Sequence, residues 1–113
     1  MKSNLLSQKF ATFQPQGYVS AANAQEFLQQ LIEAVESSED SSILVDMEGI
    51  EFMDSAGLMA LIEGFRFAQD KERDFSICSV APPVRMLFEL TQLDNVFCIF
   101  DNQDSYLTRA VAV

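Results

Sequence analysis

Ile43-Leu-Val-Asp-Met-Glu-Gly-Ile-Glu-Phe-Met-Asp-Ser-Ala-Gly-Leu58 decides the reading of this chain. It opens with a continuous apolar run, Ile43 to Val45, as expected of a strand covered by helices on its faces. It closes where a helical pattern begins at Asp54 or Ser55 and runs to about Asp70. Met53 stands just before the cap, where it can pack on Leu58 as a hydrophobic staple. The first N–H groups of a helix have no intrahelical partner and the helix dipole is positive there, so the Ser55 hydroxyl occupies an anion-tolerant position. The N–H groups of Ala56, Gly57 and Leu58 are the expected donors to a phosphate on it.

Outward from this segment, strands alternate with helices. Residues 9–14 and 18–20 read as short strands of the leading edge, bent by Pro15 and Gly17. From Asn23, a natural N-cap, Phe27, Leu28, Leu31, Ile32 and Val35 recur at helical spacing. Residues 36–42 are polar turn formers and read as a solvated loop. Residues 42–47 give a central strand, 75–80 the next, and Pro82 and Pro83 suit the opening of a third helix bearing Val84, Leu87, Phe88 and Leu90. Residues 96–100 give the last strand and 105–111 a final short helix. Strands separated by helices require crossover connections, which predicts an α/β fold with a largely parallel sheet and about four helices.

Three blocks of this sequence resemble the STAS domain of anti-sigma factor antagonists. They are Phe52-Met-Asp-Ser-Ala-Gly-Leu58, Gly17-Tyr-Val-Ser-Ala21 ahead of an amphipathic helix, and Ala81-Pro-Pro-Val-Arg-Met-Leu-Phe-Glu-Leu90 after a short strand. The resemblance covers nearly the whole chain from about Phe10. It implies a STAS fold, a small mixed, largely parallel sheet flanked by about four helices, in one domain over residues 1–113, with residues 1–8 flexible, and a serine, here Ser55, that is phosphorylated. It further implies a non-enzymatic partner switch. The unphosphorylated form binds an anti-sigma factor, often itself a serine kinase, and so frees the sigma factor; the kinase phosphorylates Ser55, and a metal-dependent serine phosphatase reverses this. Ser20 stands where many relatives carry an aspartate, in a region that approaches the phosphorylated serine in the family.

Composition bounds the alternatives. A chain of 113 residues buries enough surface to fold without metal or disulfide. Seventeen acidic against seven basic residues give a formal charge of −10, which opposes binding to nucleic acid and to anionic lipid surfaces and favours a basic protein surface. No signal-peptide core or membrane-spanning run is present, which places the chain in the cytoplasm. Cys78 and Cys98 lack zinc or redox spacing and read as reduced, buried core thiols. There is no histidine, which removes the usual serine-activating base and the commonest zinc ligand. With no phosphate-binding glycine loop and no dinucleotide fingerprint either, an enzyme or nucleotide-binding module built on Asp54 and Ser55 is disfavoured, and no cofactor or metal is implied.

Around the helix that opens at Ser55, steps of about 100° per residue place Leu58, Leu61, Ile62, Phe65 and Ala68 on a core face. Ser55, Ala56, Met59, Ala60, Glu63, Arg66 and Phe67 fall on the other. Met59 and Phe67 are large apolar residues away from the core, and small Ala56 and Ala60 leave room for a partner, so this is the expected docking face. With Ser20, Asp54 and Ser55 it gives the candidate partner-binding set Ser20, Asp54, Ser55, Ala56, Met59, Ala60, Glu63 and Phe67. Asp54 is a helix cap, or a group that contacts the kinase or orients the serine hydroxyl, and Arg85 a solvated helix-terminal cation. A homodimer through Met59 and Phe67, and a STAS adaptor whose output is not a sigma factor, are the alternatives at the same surface.

Overall fold

In the computed structural model of the protein, residues 10–37 and 42–112 are described. The expectations for residues 1–8 and for most of the loop at 36–42 fall outside them. The chain runs β1 (Ala11–Phe13), β2 (Gly17–Val19), α1 (Ala24–Ser37), β3 (Ser42–Asp46), β4 (Ile50–Met53), α2 (Ser55–Asp70), β5 (Asp74–Cys78), α3 (Pro82–Leu90), a 3-10 turn (Leu93–Asn95), β6 (Cys98–Phe100) and α4 (Gln103–Ala112).

Four strands form one sheet in the order β1-β3-β5-β6, and every pairing in it is parallel. Ile43, Leu44 and Val45 on β3 are each at most 1% exposed, as their unbroken apolar run predicts for a strand covered on both sides. Helices α1 and α2 pack against each other. Gly64 makes that approach possible: a Cβ there would lie 2.8 Å from Leu31 Cγ, tighter than packed carbon atoms tolerate. Phe65 meets Phe75 and Phe97 edge-on at 5.4 and 5.3 Å, and Phe97 meets Phe88 at 5.4 Å, which ties α2, β5, α3 and the bend before β6 into one aromatic core. Tyr106 on α4 packs edge-on against Phe10 at 5.0 Å and Phe100 at 5.3 Å, joining the last helix to β6 and to the residue that precedes β1.

Two features depart from the sequence reading. The stretch after β3 contains a separate strand, β4, which pairs in parallel with β2 to make a two-stranded ribbon outside the main sheet. Thus β2 does not join the sheet edge beside β1. Cys78 is buried, but Cys98 is exposed on the edge strand β6. The apolar run at residues 96–100 is too short to be covered along its whole length: Val96 is 51% exposed and Phe97 4%, so the edge leaves the first strand residue open to solvent.

Candidate functional site

The ribbon delivers Ser55 to its position. Val19 and Met53 are in register and both are 2% exposed, so they anchor the ends of β2 and β4 in the core. The Asp54 N–H donates to the Val19 carbonyl at 3.0 Å, adding one more bond before the chain turns into α2. Asp54 keeps an extended backbone, φ −99° and ψ −172°, as an N-cap residue does. Its Oδ1 accepts the Gly57 N–H at 3.0 Å and its carbonyl accepts the Leu58 N–H at 2.9 Å. Gly57 is required by the close pass of β2: a Cβ there would lie 2.8 Å from the Val19 carbonyl oxygen and 2.8 Å from Met53 Cγ.

These bonds revise the expected phosphate cradle. Gly57 and Leu58 N–H are committed to Asp54, which leaves Ser55 and Ala56 as the donors at this helix end with no intrahelical carbonyl to bond. Ser55 is exposed and Ala56 half-buried.

The second oxygen of Asp54 reaches across the chain, accepting the Ala21 N–H at 3.2 Å. Ala21 lies in the turn that leads into α1. There the Asn23 N–H donates to the Ser20 carbonyl at 3.0 Å, the Ala22 N–H to Ser20 Oγ at 3.3 Å, and the Ser20 N–H to Asn23 Oδ1 at 2.8 Å. Asn23 Nδ2 donates to the Tyr18 carbonyl at 2.8 Å. Asn23 therefore stands at the head of α1 as expected, and its side chain reaches back to brace the turn. Ser20, half-buried, is in the segment that Asp54 holds, so the structure brings Ser20, Asp54 and Ser55 together.

The rest of the candidate set divides. Met59 is 56% exposed, one turn beyond Ser55, and Glu63 is exposed one turn further. Phe67 is half-buried and packs against the core, with Lys71 Nζ 5.4 Å from its ring centre. Ala60 is 5% exposed and belongs to the core, contrary to the wheel. The reason is that α2 buries a broad stripe including Gly57, Ala60, Leu61 and Gly64, whose small residues admit α1 and β2 closely and widen the covered arc. Arg85 is half-buried and 4.0 Å from Glu89, an exposed pair of little energetic consequence.

Two exposed aromatics escaped the sequence reading. Tyr18 is 60% and Phe52 49% exposed, and they are register partners across the ribbon. Phe52 belongs to the quoted segment, but its pairing with Tyr18 depends on a contact between distant strands that periodicity does not report.

Charge is distributed unevenly. Residues 10–65 carry ten of the seventeen acids and none of the lysines or arginines. Among the described residues no cluster of three or more His, Cys, Asp or Glu is placed to hold a metal, and no helix is long and apolar enough to cross a membrane.

The sequence pattern of the STAS domain matches residues 6–106. An anti-sigma F factor antagonist of Paenibacillus polymyxa is 29% identical over 84 residues, covering 74% of this chain and 72% of that protein. The crystal structure of an anti-sigma factor antagonist from Mycobacterium paratuberculosis superposes with a TM-score of 0.76 at 24% identity, over 92% of this chain and 86% of that one. The Bacillus cell fate determinant SpoIIAA in its phosphorylated form superposes with a TM-score of 0.65 at 14% identity, over 92% and 93%. With parallel strands, four described helices and an aspartate-capped serine at the head of α2, and with the domain pattern spanning most of its length, the chain belongs to the STAS domain family.

Proposed function

We propose that this chain is an anti-sigma factor antagonist, a non-enzymatic cytoplasmic switch set by phosphorylation of Ser55. The observation that carries the reading is the exposed Ser55 hydroxyl on the first residue of a helix whose other side is locked into the core. The relative from Paenibacillus polymyxa, named for that role, supports it.

The mechanism follows from local chemistry. A phosphate on Ser55 adds about −1.5 to −2 charges and three acceptor oxygens. The helix end offers it the Ser55 and Ala56 N–H groups and the positive end of the dipole, so the fold tolerates the modification. An interface that covers Ser55 does not, because it must desolvate a dianion beside the Asp54 carboxylate, at a cost of several kcal/mol without a matching cation. In this reading the unphosphorylated face of Ser20, Asp54, Ser55, Ala56, Met59 and Glu63, with the edge of Phe67, binds an anti-sigma factor that is also the serine kinase. Phosphorylation releases it, and a metal-dependent serine phosphatase resets the chain.

The test is peptide mass spectrometry of the protein from its native cells, before and after phosphatase treatment, followed by calorimetry against the anti-sigma factors of the same organism produced one at a time. A removable phosphate on Ser55, and binding by the unmodified form alone, are the expected results. Equal affinity of the phosphorylated and unmodified forms would overturn the mechanism. Absence of the phosphate under every growth condition would reduce Ser55 to a helix-terminal hydroxyl.

A further inference from the structure

The ribbon that leads to Ser55 carries an outward aromatic pair that the switch itself does not use. In a regular strand residues two apart share a side, so Phe52 should be buried as Ile50 is, at 1% exposed. The register prevents this. Gly17 pairs with Ile50 but Tyr18 pairs with Phe52, so Glu51 is an extra residue in β4. Inserting one residue moves the following side chain to the opposite face. Phe52 consequently turns outward beside Tyr18, while Val19 and Met53 return to the core. Gly17 permits the slip with its φ of 88°. Displaying two large rings to water is unfavourable by the hydrophobic effect, and the exposure comes from backbone geometry built into both strands.

The surroundings specify what would cover the pair. Tyr18 lines a groove of about 180 Å³ together with Asn23, Glu26 and Gln30. Exposed Glu51 adjoins Phe52, exposed Glu48 precedes the strand, and no lysine or arginine occurs anywhere in residues 10–65. Aromatic rings with acids at their margin that make no salt bridge among the described residues match an apolar side chain flanked by cations, and Tyr18 and Phe52 also offer π-faces to arginine or lysine. A second copy of this chain, with its own charge of −10, lacks that complement.

We propose that Tyr18 and Phe52, with Glu26 and Glu51 at their margin, are a second wing of the docking face that seats a lysine- or arginine-flanked apolar side chain of the anti-sigma factor. This rests on the reading of the chain as an anti-sigma factor antagonist. The division of labour resolves an apparent conflict, since a basic partner would otherwise welcome a phosphoserine. The partner's cations lie opposite the ribbon's acids, and the ground opposite Ser55 is apolar, matched to Ala56 and Met59. One surface thus attracts the antagonist and still rejects its phosphorylated form.

The experiment takes the anti-sigma factor that binds the unmodified protein and measures affinity and association rate for Tyr18→Ser, Phe52→Ser, the double variant, and Glu26→Gln/Glu51→Gln, at low and high salt. Val96→Ser, just before the edge strand β6, is the control, because Val96 is 51% exposed and β6 pairs with β5 in the main sheet and not with the ribbon. The double aromatic variant is expected to lose at least about tenfold in affinity. The glutamine pair should associate more slowly and with a flatter salt dependence, and Val96→Ser should match wild type. Because all these positions are exposed, circular dichroism and melting should be unchanged. As a measurement independent of affinity, benzoylphenylalanine at position 52 should crosslink to a partner peptide containing lysine or arginine. Binding of the aromatic double variant within about twofold of wild type, or crosslinks that map to an acidic peptide, would overturn the second wing while leaving the switch intact. Failure of every anti-sigma factor to bind wild type would overturn both.

Discussion

Asp54 and Ala21, thirty-three residues apart, are joined by a hydrogen bond from the Ala21 N–H to Asp54 Oδ2 at 3.2 Å. The other oxygen of that carboxylate caps α2 through Gly57. One side chain therefore fixes both the helix end that presents Ser55 and the turn that presents Ser20. Asp54→Ala should cost about 1–2 kcal/mol as a lost cap, with the loosened turn adding to it. Asp54→Asn should fall between, because its amide oxygen can still cap Gly57 while its NH2, a donor, cannot accept the Ala21 N–H. Urea denaturation of the three proteins checks the order; equal losses for Asn and Ala would show that capping of Gly57 is not what stabilises the site.

The bonding at the helix head makes a spectroscopic prediction about phosphorylation. In amide-resolved NMR the Ser55 and Ala56 N–H resonances should move downfield on phosphorylation, as free donors acquire phosphate oxygens. The Gly57 and Leu58 resonances, already committed to Asp54, should move much less. A dominant shift at Gly57 would mean that phosphate displaces the Asp54 carboxylate from the cap.

Gly64 tests the packing that rigidifies the switch. Gly64→Ala improves helix propensity by about 1 kcal/mol but drives a methyl into Leu31. Overpacking costs about 1–3 kcal/mol, so a net loss of stability is expected. Shortening the obstacle with Leu31→Ala should be less harmful in the Gly64→Ala background than in wild type, and a double-mutant cycle measures that coupling. Additivity would place the clash elsewhere.

The two thiols should differ in kind. Cys98, exposed, should react with a thiol reagent in the native protein, and Cys78 after unfolding. Burial, with the carboxylate of Asp46 nearby, pushes the Cys78 thiol above its ordinary 9.0. Burial likewise raises the Tyr106 phenol above 10.0. An acid whose folded pKa is raised holds its proton longer when folded, so the unfolded chain binds fewer protons at alkaline pH. The stability tied to each group is complete below its unfolded value and is lost as pH rises through the folded one. Stability should fall from about pH 9 upward for Cys78 and from about pH 10 for Tyr106, and Cys78→Ala and Tyr106→Phe should each flatten that decline. A slope unchanged in both variants would assign the alkaline loss to other groups.

Much of the fold was legible because its signals are local. The unbroken Ile43-Leu-Val45 run, the helical spacing from Phe27 to Val35, and the pair Pro82-Pro83 each report an element from neighbouring residues, and the structure places β3, α1 and α3 there. What escaped depends on distant pairings. β4 is a four-residue strand between a glycine turn and a helix cap, and its identity comes from β2, more than thirty positions away. The burial of Ala60 depends on how closely α1 approaches, and the exposure of Cys98 on which strand ends the sheet. That the helix opens at Asp54 or Ser55 was legible, whereas the assignment of Asp54 as cap and Ser55 as first helical residue, and of Ala21 as the second partner of Asp54, was not.

The ribbon of β2 and β4 shares no ladder with the four-stranded sheet. Its outward residues are therefore free to change without re-registering the strands that hold the domain together. On the proposed reading partner choice is portable: exchanging Tyr18, Glu51 and Phe52 for those of a relative, while keeping Val19, Ile50 and Met53 in the core, should change which partner is bound and leave the serine, its cap and the sheet as they are.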